Sequence, residues 1–179
     1  MKKLIVILAV LVSDLTLAQT EQKTDTLEIW TLFSIGNFVN SNAERIVEQK
    51  WPFRIKGIAG DTFPEDMIDA VETHNNQVWS YLDANGHTDS KKKFEADLLA
   101  EIRRIQNAVE ISNSHKNIIQ LFEKWRKSKR QNYTKLHKLS DEKYEFLLYS
   151  FDVNNLDKGQ TFELKYTVDL DKGKIKIME

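Results

Sequence analysis

The spacing of the apolar residues changes in the last third of this 179-residue chain. Between residues 64 and 126 the apolar side chains recur mainly every three or four positions, which is the period of an amphipathic helix. From residue 162 to 170 they alternate strictly with polar side chains, as in a half-exposed strand. Helical and strand patterns in separate parts of one chain predict an α+β fold.

The region before residue 64 predicts a βαβ unit. Residues 27 to 35 and 53 to 59 are rich in β-branched and aromatic side chains, and residues 38 to 49 between them have helical spacing. Ser41 and Glu44 have the spacing of a capping box near the start of this helix.

Two long amphipathic helices are predicted next, over residues 64 to 84 and 90 to 126. The short Asn-Gly-His connection between them favours an antiparallel helical hairpin. Asp89 or Ser90 is the expected N-cap of the second helix. Residues 112 to 114 mark the point where this helix bends or restarts.

The last third of the chain predicts an antiparallel β-meander. Residues 133 to 139 and 162 to 170 have strand patterns, and two copies of Leu-Asp-Lys-Gly, at 156 to 159 and 170 to 173, are typical of turns with glycine at positive φ. Residues 141 to 151 fit either a strand or a short helix. The fold prediction is a single α+β domain with an N-terminal βαβ unit, a long central helical hairpin and a C-terminal antiparallel β-meander packed on the helices.

The first eighteen residues have the three-part pattern of a secretory signal peptide. Two lysines precede an apolar run over residues 4 to 12, and Ala18 lies at a cleavage position. The run is too short for a membrane-spanning helix, which needs roughly 20 apolar residues. We therefore expect an exported protein, periplasmic or extracellular, cleaved near Ala18, with no membrane span in the mature chain. Residues 19 to 26 are expected to form a flexible leader and residues 27 to 179 a single domain.

The sequence lacks the motifs of familiar catalytic chemistry. It has no cysteine, no GxSxG or SxxK serine motif, and four histidines at spacings that do not suit a metal site. Glu65, Asp69 and Glu72 share one helix face, but that face opposes the apolar arc and is expected to be solvated. These observations predict no metal and no cofactor and favour a noncatalytic protein. The alternative is an envelope or extracellular hydrolase whose site is assembled only by the fold.

Charge is strongly segregated along the chain. Residues 57 to 90 carry seven carboxylates and no base, whereas residues 91 to 138 carry thirteen bases and five acids. The basic stretch, residues 124 to 138, contains seven bases, no acid and two aromatic side chains, which is typical of a polyanion-binding surface. No specific nucleic-acid motif accompanies it. Alternatively, the acidic and basic segments pair with each other within the molecule.

Six residues are candidates for ligand binding. Asn75 falls within the apolar arc of its helix, where a buried amide needs partners from backbone, water or a ligand. The other five combine cations with aromatic rings in the basic stretch. They are Trp125, Lys127, Lys129, Arg130 and Tyr133. The leading hypothesis is a noncatalytic domain that binds a protein partner or a small ligand, and the further alternative is a polyanion-binding protein that uses the basic stretch.

Overall fold

A computed structural model describes residues 26–32, 37–59 and 63–178. The predicted signal peptide and nearly all of the predicted leader lie outside these residues, as does the end of the first predicted strand. Of the described helices, none is both long and apolar enough to cross a membrane. The described chain has an α+β fold, with a two-stranded parallel sheet, helices, and a four-stranded antiparallel sheet.

The N-terminal βαβ prediction is confirmed. β1 (Leu27–Leu32) and β2 (Phe53–Ala59) pair in parallel, and α1 (Phe38–Glu48) connects them. The capping-box prediction is wrong, because the side chain of Asn37 caps this helix. Its Oδ1 accepts hydrogen bonds from two backbone N–H groups of the first turn, at 3.0 and 3.3 Å. Ser41 therefore lies inside the helix.

Three helices follow, and their bounds agree with the predicted pattern. They are α2 (Glu65–Ala84), α3 (Ser90–Asn113) and α4 (Lys116–Lys127). The break between α3 and α4 confirms the predicted restart of the second amphipathic segment. α3 packs mainly along α1, while α2 packs mainly along β1.

The start of α3 is stabilised by a residue of the preceding helix. Asp89 is the N-cap residue, as expected, but its side chain makes no capping hydrogen bond and its φ is 57°. The carboxylate of Asp83 instead accepts a hydrogen bond from the backbone N–H of Ser90 at 2.8 Å. This hydrogen bond lowers the pKa of Asp83 and ties the end of α2 to the start of α3.

Four antiparallel strands, paired in chain order, confirm the predicted meander. They are β3 (Gln131–Ser140), β4 (Lys143–Phe151), β5 (Thr161–Asp169) and β6 (Lys174–Met178). The open choice for residues 141 to 151 is thereby decided in favour of a strand. Gly159 and Gly173 end the two Leu-Asp-Lys-Gly turns with φ of 68° and 57°, a conformation that glycine adopts without steric cost.

The apolar core lies between the helices and one face of the meander. Every second residue of β4 points inward. Three of these residues are at most 2% exposed, namely Tyr144, Phe146 and Leu148. A second apolar cluster surrounds Phe53 where β1 and β2 meet α2. Leu98 of α3 packs against both clusters. Since fully burying one large apolar side chain contributes roughly 1.5–3 kcal/mol, these clusters are the main source of stability.

Candidate binding site

The basic stretch does not form one continuous surface. Lys127 and Lys129 are exposed at the C-terminal end of α4. Arg130 instead donates hydrogen bonds to the hydroxyls of Ser150 and Thr161, at 2.8 and 3.1 Å, and so joins the start of β3 to β4 and β5. The three candidate cations therefore comprise two exposed lysines and one arginine that is hydrogen-bonded to β4 and β5.

The two aromatic candidates of this stretch lie in different environments. Trp125 is 1% exposed and belongs to the main apolar cluster. Tyr133 lies on the opposite face of the sheet, where its ring stacks on that of Tyr149 with 5.3 Å between centroids. The structure therefore brings neither ring together with the exposed lysines of α4, and Trp125 has no surface on which a ligand can stack.

The acidic and basic segments do not pair directly in the described part of the chain. Within residues 63–178, no ion pair joins a carboxylate of α2 or its following turn to a base of residues 91 to 138. Glu65, Asp69 and Glu72 are exposed on α2, as predicted. The negative charge of α2 therefore faces solvent.

The side chain of Asn75 hydrogen-bonds to the backbone at the free edge of β1, where a neighbouring strand would otherwise pair. Its Oδ1 accepts a hydrogen bond from the N–H of Trp30, and its Nδ2 donates one to the C=O of the same residue, both at 2.8 Å. Beside it, Nε2 of His74 lies 2.8 Å from the C=O of Glu28, and the imidazole stacks on the Trp30 indole at 3.7 Å. The side chains of Asn75 and His74 therefore hydrogen-bond to backbone groups that are otherwise without partners on an edge strand.

We expect Asn75→Ala to lower the free energy of unfolding by about 1–3 kcal/mol, because it leaves two partly buried backbone groups of Trp30 without partners. Urea denaturation measures the change. Asn76→Ala, at the exposed neighbouring position of the same helix, is the matched control and should change stability by less than about 0.5 kcal/mol. Equal effects of the two substitutions would contradict the edge-pairing role.

A buried carboxylate that the sequence reasoning did not select joins α3 to the meander. Glu101 is 1% exposed. It accepts hydrogen bonds from the Tyr144 hydroxyl at 2.6 Å and the Lys138 ammonium at 2.7 Å, with the Arg104 guanidinium at 3.3 Å. Burial, together with the nearby carboxylate, raises the pKa of Tyr144 well above its usual range. The tyrosine is therefore a neutral hydroxyl that donates to Glu101.

The helical spacing of the sequence indicates that Glu101 lies on the buried side of α3. Glu101 lies seven residues after Phe94 and seven before Ala108, both of which belong to the buried side of α3. A charged residue at that spacing requires partners in the fold. Glu101 is shielded from solvent and accepts from three donors, two of which belong to the meander. We therefore interpret it as a structural residue that holds α3 against the meander.

One histidine lies beside a carboxylate on the outer face of the meander. Nδ1 of His137 is 3.3 Å from Oε1 of Glu145, whose other oxygen binds Lys165 at 2.6 Å. Lys165 and His137 lower the pKa of Glu145, so this carboxylate is ionised and fully partnered on an open surface. Among the described residues, no group of three or more His, Asp and Glu side chains is placed to hold a metal ion.

An apolar cavity of about 150 Å³ lies between the helices and the inner face of the meander. Its apolar wall comes from α1, α3, α4 and two strands, β4 and β5. It consists of Phe38, Val109, Phe122, Phe146, Leu148 and Tyr166. Three polar residues, Ser112, Asn113 and Thr134, complete the lining. Of these, Asn113 is exposed, so the cavity reaches the surface where α3 ends.

The polar groups of the cavity are few. The Ser112 hydroxyl donates to the C=O of Ala108 at 2.7 Å. Burial raises the pKa of Tyr166 to about 12, and its hydrogen bond with Ser112 opposes that shift. Tyr166 is therefore a neutral hydroxyl at neutral pH. The cavity offers aromatic walls with very little charge.

A wider and more open depression adjoins the cavity. Its volume is about 360 Å³, and it shares Asn113 and Phe122 with the cavity. Ile119, which is 42% exposed, forms part of its floor, and Glu123 and Arg126 lie at its border. Phe122 thus borders both the apolar cavity and an amphipathic surface on α4.

No family model, curated protein or solved structure matches this chain. The cavity and the surfaces around it are therefore interpreted from their own geometry and chemistry.

Proposed function

We propose that this protein is an exported, noncatalytic domain that binds a small apolar molecule in the cavity between α1, α3, α4 and the meander. The observation that carries the proposal is the cavity itself, which is lined by aromatic and aliphatic side chains and opens at the end of α3. Pockets of this kind, largely apolar with a few placed polar groups, are the usual form of small-ligand sites.

The size of the cavity indicates the size of the ligand. An apolar cavity of about 150 Å³ remains dry and accommodates a molecule the size of benzene. The cavity in this protein has a similar volume, about 150 Å³, and the rings of Phe38, Phe122 and Phe146 provide faces and edges for aromatic contact. We therefore assign to the cavity a single aromatic ring or a short aliphatic group.

The lining supports binding without catalysis. Its described residues include no carboxylate, histidine, lysine or arginine, and general acid–base chemistry needs such a group within hydrogen-bond reach of the substrate. Among the described lining residues, the only ionisable side chain is that of Tyr166, and burial raises the pKa of its hydroxyl to about 12. Support for export comes from the signal-peptide pattern of the first eighteen residues.

Benzene is the probe for this cavity, and we expect it to bind with a Kd on the order of 1 mM. At ten times Kd it should stabilise the folded protein by about 1.4 kcal/mol, because it binds the folded state alone. Thermal denaturation with and without benzene measures this stabilisation. Val109→Phe places a ring inside the cavity and should abolish the benzene effect.

Two further variants make this test specific. Leu99 lies on the same helix and is 48% exposed, so Leu99→Phe adds the same type of ring outside the cavity and should leave the benzene effect unchanged. Val109→Leu fills the cavity less severely and should weaken the effect without unfolding the protein. The proposal fails if benzene stabilises the wild type and Val109→Phe equally, or stabilises neither of them.

A further inference from the structure

The outer face of the meander is open to solvent. On β3, Leu136 points inward and is 1% exposed, whereas its neighbours Lys135 and His137 point outward and are exposed. The same alternation runs through β4, β5 and β6. Among the described helices, α1, α3 and α4 contribute to the cluster on the inner face, and α2 packs mainly along β1, so the outer face is left uncovered by them.

A row of three aromatic rings crosses this outer face. The strand register places Tyr133 opposite Tyr149, and Tyr149 opposite Phe162. Their ring centroids are 5.3 and 5.6 Å apart, and Phe162 is 53% exposed. Tyr133 and Tyr149 are stacked on each other with 25° between their planes, so they present ring edges and phenol hydroxyls to solvent.

Cations lie beside this aromatic row. The ammonium of Lys135 is 5.7 and 5.4 Å from the ring centroids of Tyr133 and Tyr149. Lys174 and Lys176 point outward from β6, opposite Asp169 and Thr167. In the described residues, none of these three lysines has a carboxylate within ion-pair distance.

The charge of the whole face is positive. It carries five lysines, at positions 135, 143, 165, 174 and 176, and two carboxylates, Glu145 and Asp169. Both carboxylates already bind cations of the protein. Glu145 binds Lys165, and Asp169 lies 3.2 Å from Lys172. The formal excess of three positive charges is therefore available to an anionic partner.

We propose that the outer face of the meander binds an acidic polysaccharide. Lys135, Lys174 and Lys176 hold its carboxylate or sulfate groups, and the aromatic row contacts its sugar rings and hydroxyls. Nucleic acid fits less well, because bases need free ring faces for stacking, and the stacking of Tyr133 on Tyr149 occupies one face of each of these rings. Among the described residues of this face there is also no arginine, the residue that matches phosphate in a bidentate way.

Alginate, a polymer of uronic acids, is the probe for this surface. The wild type should bind alginate at low ionic strength and bind neutral dextran much more weakly, with an affinity that falls as salt is added. Replacing Lys135 and Lys176 together by glutamine should weaken alginate binding about tenfold, since it removes two unpaired surface cations. Affinity electrophoresis or titration calorimetry measures the change.

The matched control removes the same charge elsewhere. Lys127 and Lys129 are the exposed lysines at the end of α4, and replacing both by glutamine should change the affinity less than twofold. Both pairs are exposed, and circular dichroism checks that each variant folds. The proposal is overturned if the wild type does not bind alginate, if the control loses as much affinity as the Lys135 and Lys176 variant, or if an oligothymidylate strand binds more tightly than alginate. The cavity has no part in these outcomes.

Discussion

Glu101→Ala should lower the free energy of unfolding by about 3–5 kcal/mol, the usual cost of removing one partner from a buried ion pair. The carboxylate is 1% exposed and accepts hydrogen bonds from Tyr144 and Lys138. After the substitution the Tyr144 hydroxyl loses its acceptor at the junction of α3 and the meander, and the Lys138 ammonium keeps only Asp141, at 2.9 Å, as an ion-pair partner. Urea denaturation followed by circular dichroism measures the difference.

A surface glutamate on the same helix is the control for this prediction. Glu110 is exposed and has no ion-pair partner among the described residues, so Glu110→Ala should change stability by less than about 0.5 kcal/mol. Glu101→Gln keeps an acceptor oxygen but loses the charge, and it should fall between the two. If Glu101→Ala proves no more destabilising than Glu110→Ala, Glu101 does not anchor α3 to the meander.

Trp125→Ala should also cost about 3–5 kcal/mol, the range for truncating a large aromatic side chain in a core. The indole is 1% exposed and makes an edge-to-face contact with Phe122, with 5.1 Å between ring centroids. Its removal leaves a large void between α4 and the sheet. The same denaturation experiment measures the loss.

Trp125→Phe tests the effect of lost packing volume alone. The indole N–H has no hydrogen-bond partner among the described residues, so the phenylalanine variant loses volume alone and should be destabilised by less than about 2 kcal/mol. A variant of Trp125 that retains full stability but loses binding of a ligand would contradict its placement in the core.

The meander was predictable because its signals are local. Strict alternation from Leu164 to Leu170 determines which side chains face inward, and the glycines of two similar turns mark where the strands reverse. Phe162 departs from this alternation, because the strand register shifts between Leu148 and Tyr149 and places it opposite Tyr149 on the outer face. The βαβ unit and the break near residue 113 were predictable for the same reason. The sequence left residues 141 to 151 ambiguous, and their pairing with β3 and β5 decides in favour of a strand.

The anchoring role of Glu101 depends on contacts that no local pattern contains. Its partners Lys138 and Tyr144 lie 37 and 43 residues further along the chain. The cavity likewise combines residues of α1, α3, α4 and the sheet. The spacing in α3 indicates that Glu101 is buried, but only the tertiary structure shows what neutralises it.

The basic stretch illustrates a different limit of sequence reasoning. Seven bases in fifteen residues suggest one surface, but the stretch crosses from α4 into β3, where successive side chains point to opposite faces. Lys138 therefore points inward to Glu101, while Lys135 points outward to the aromatic row. Bases that are clustered in the sequence therefore lie at several separate places in the fold.

Site-resolved NMR of methyl groups during a benzene titration tests the central claim, that the cavity is a binding site, most directly. Val109 and Leu148 line the cavity, whereas Leu139 is 52% exposed at the end of β3. We predict saturable shifts of the Val109 and Leu148 methyl signals, with the Leu139 signals unchanged. Cavity methyl signals that do not move, or that move without saturating and in step with Leu139, would contradict it.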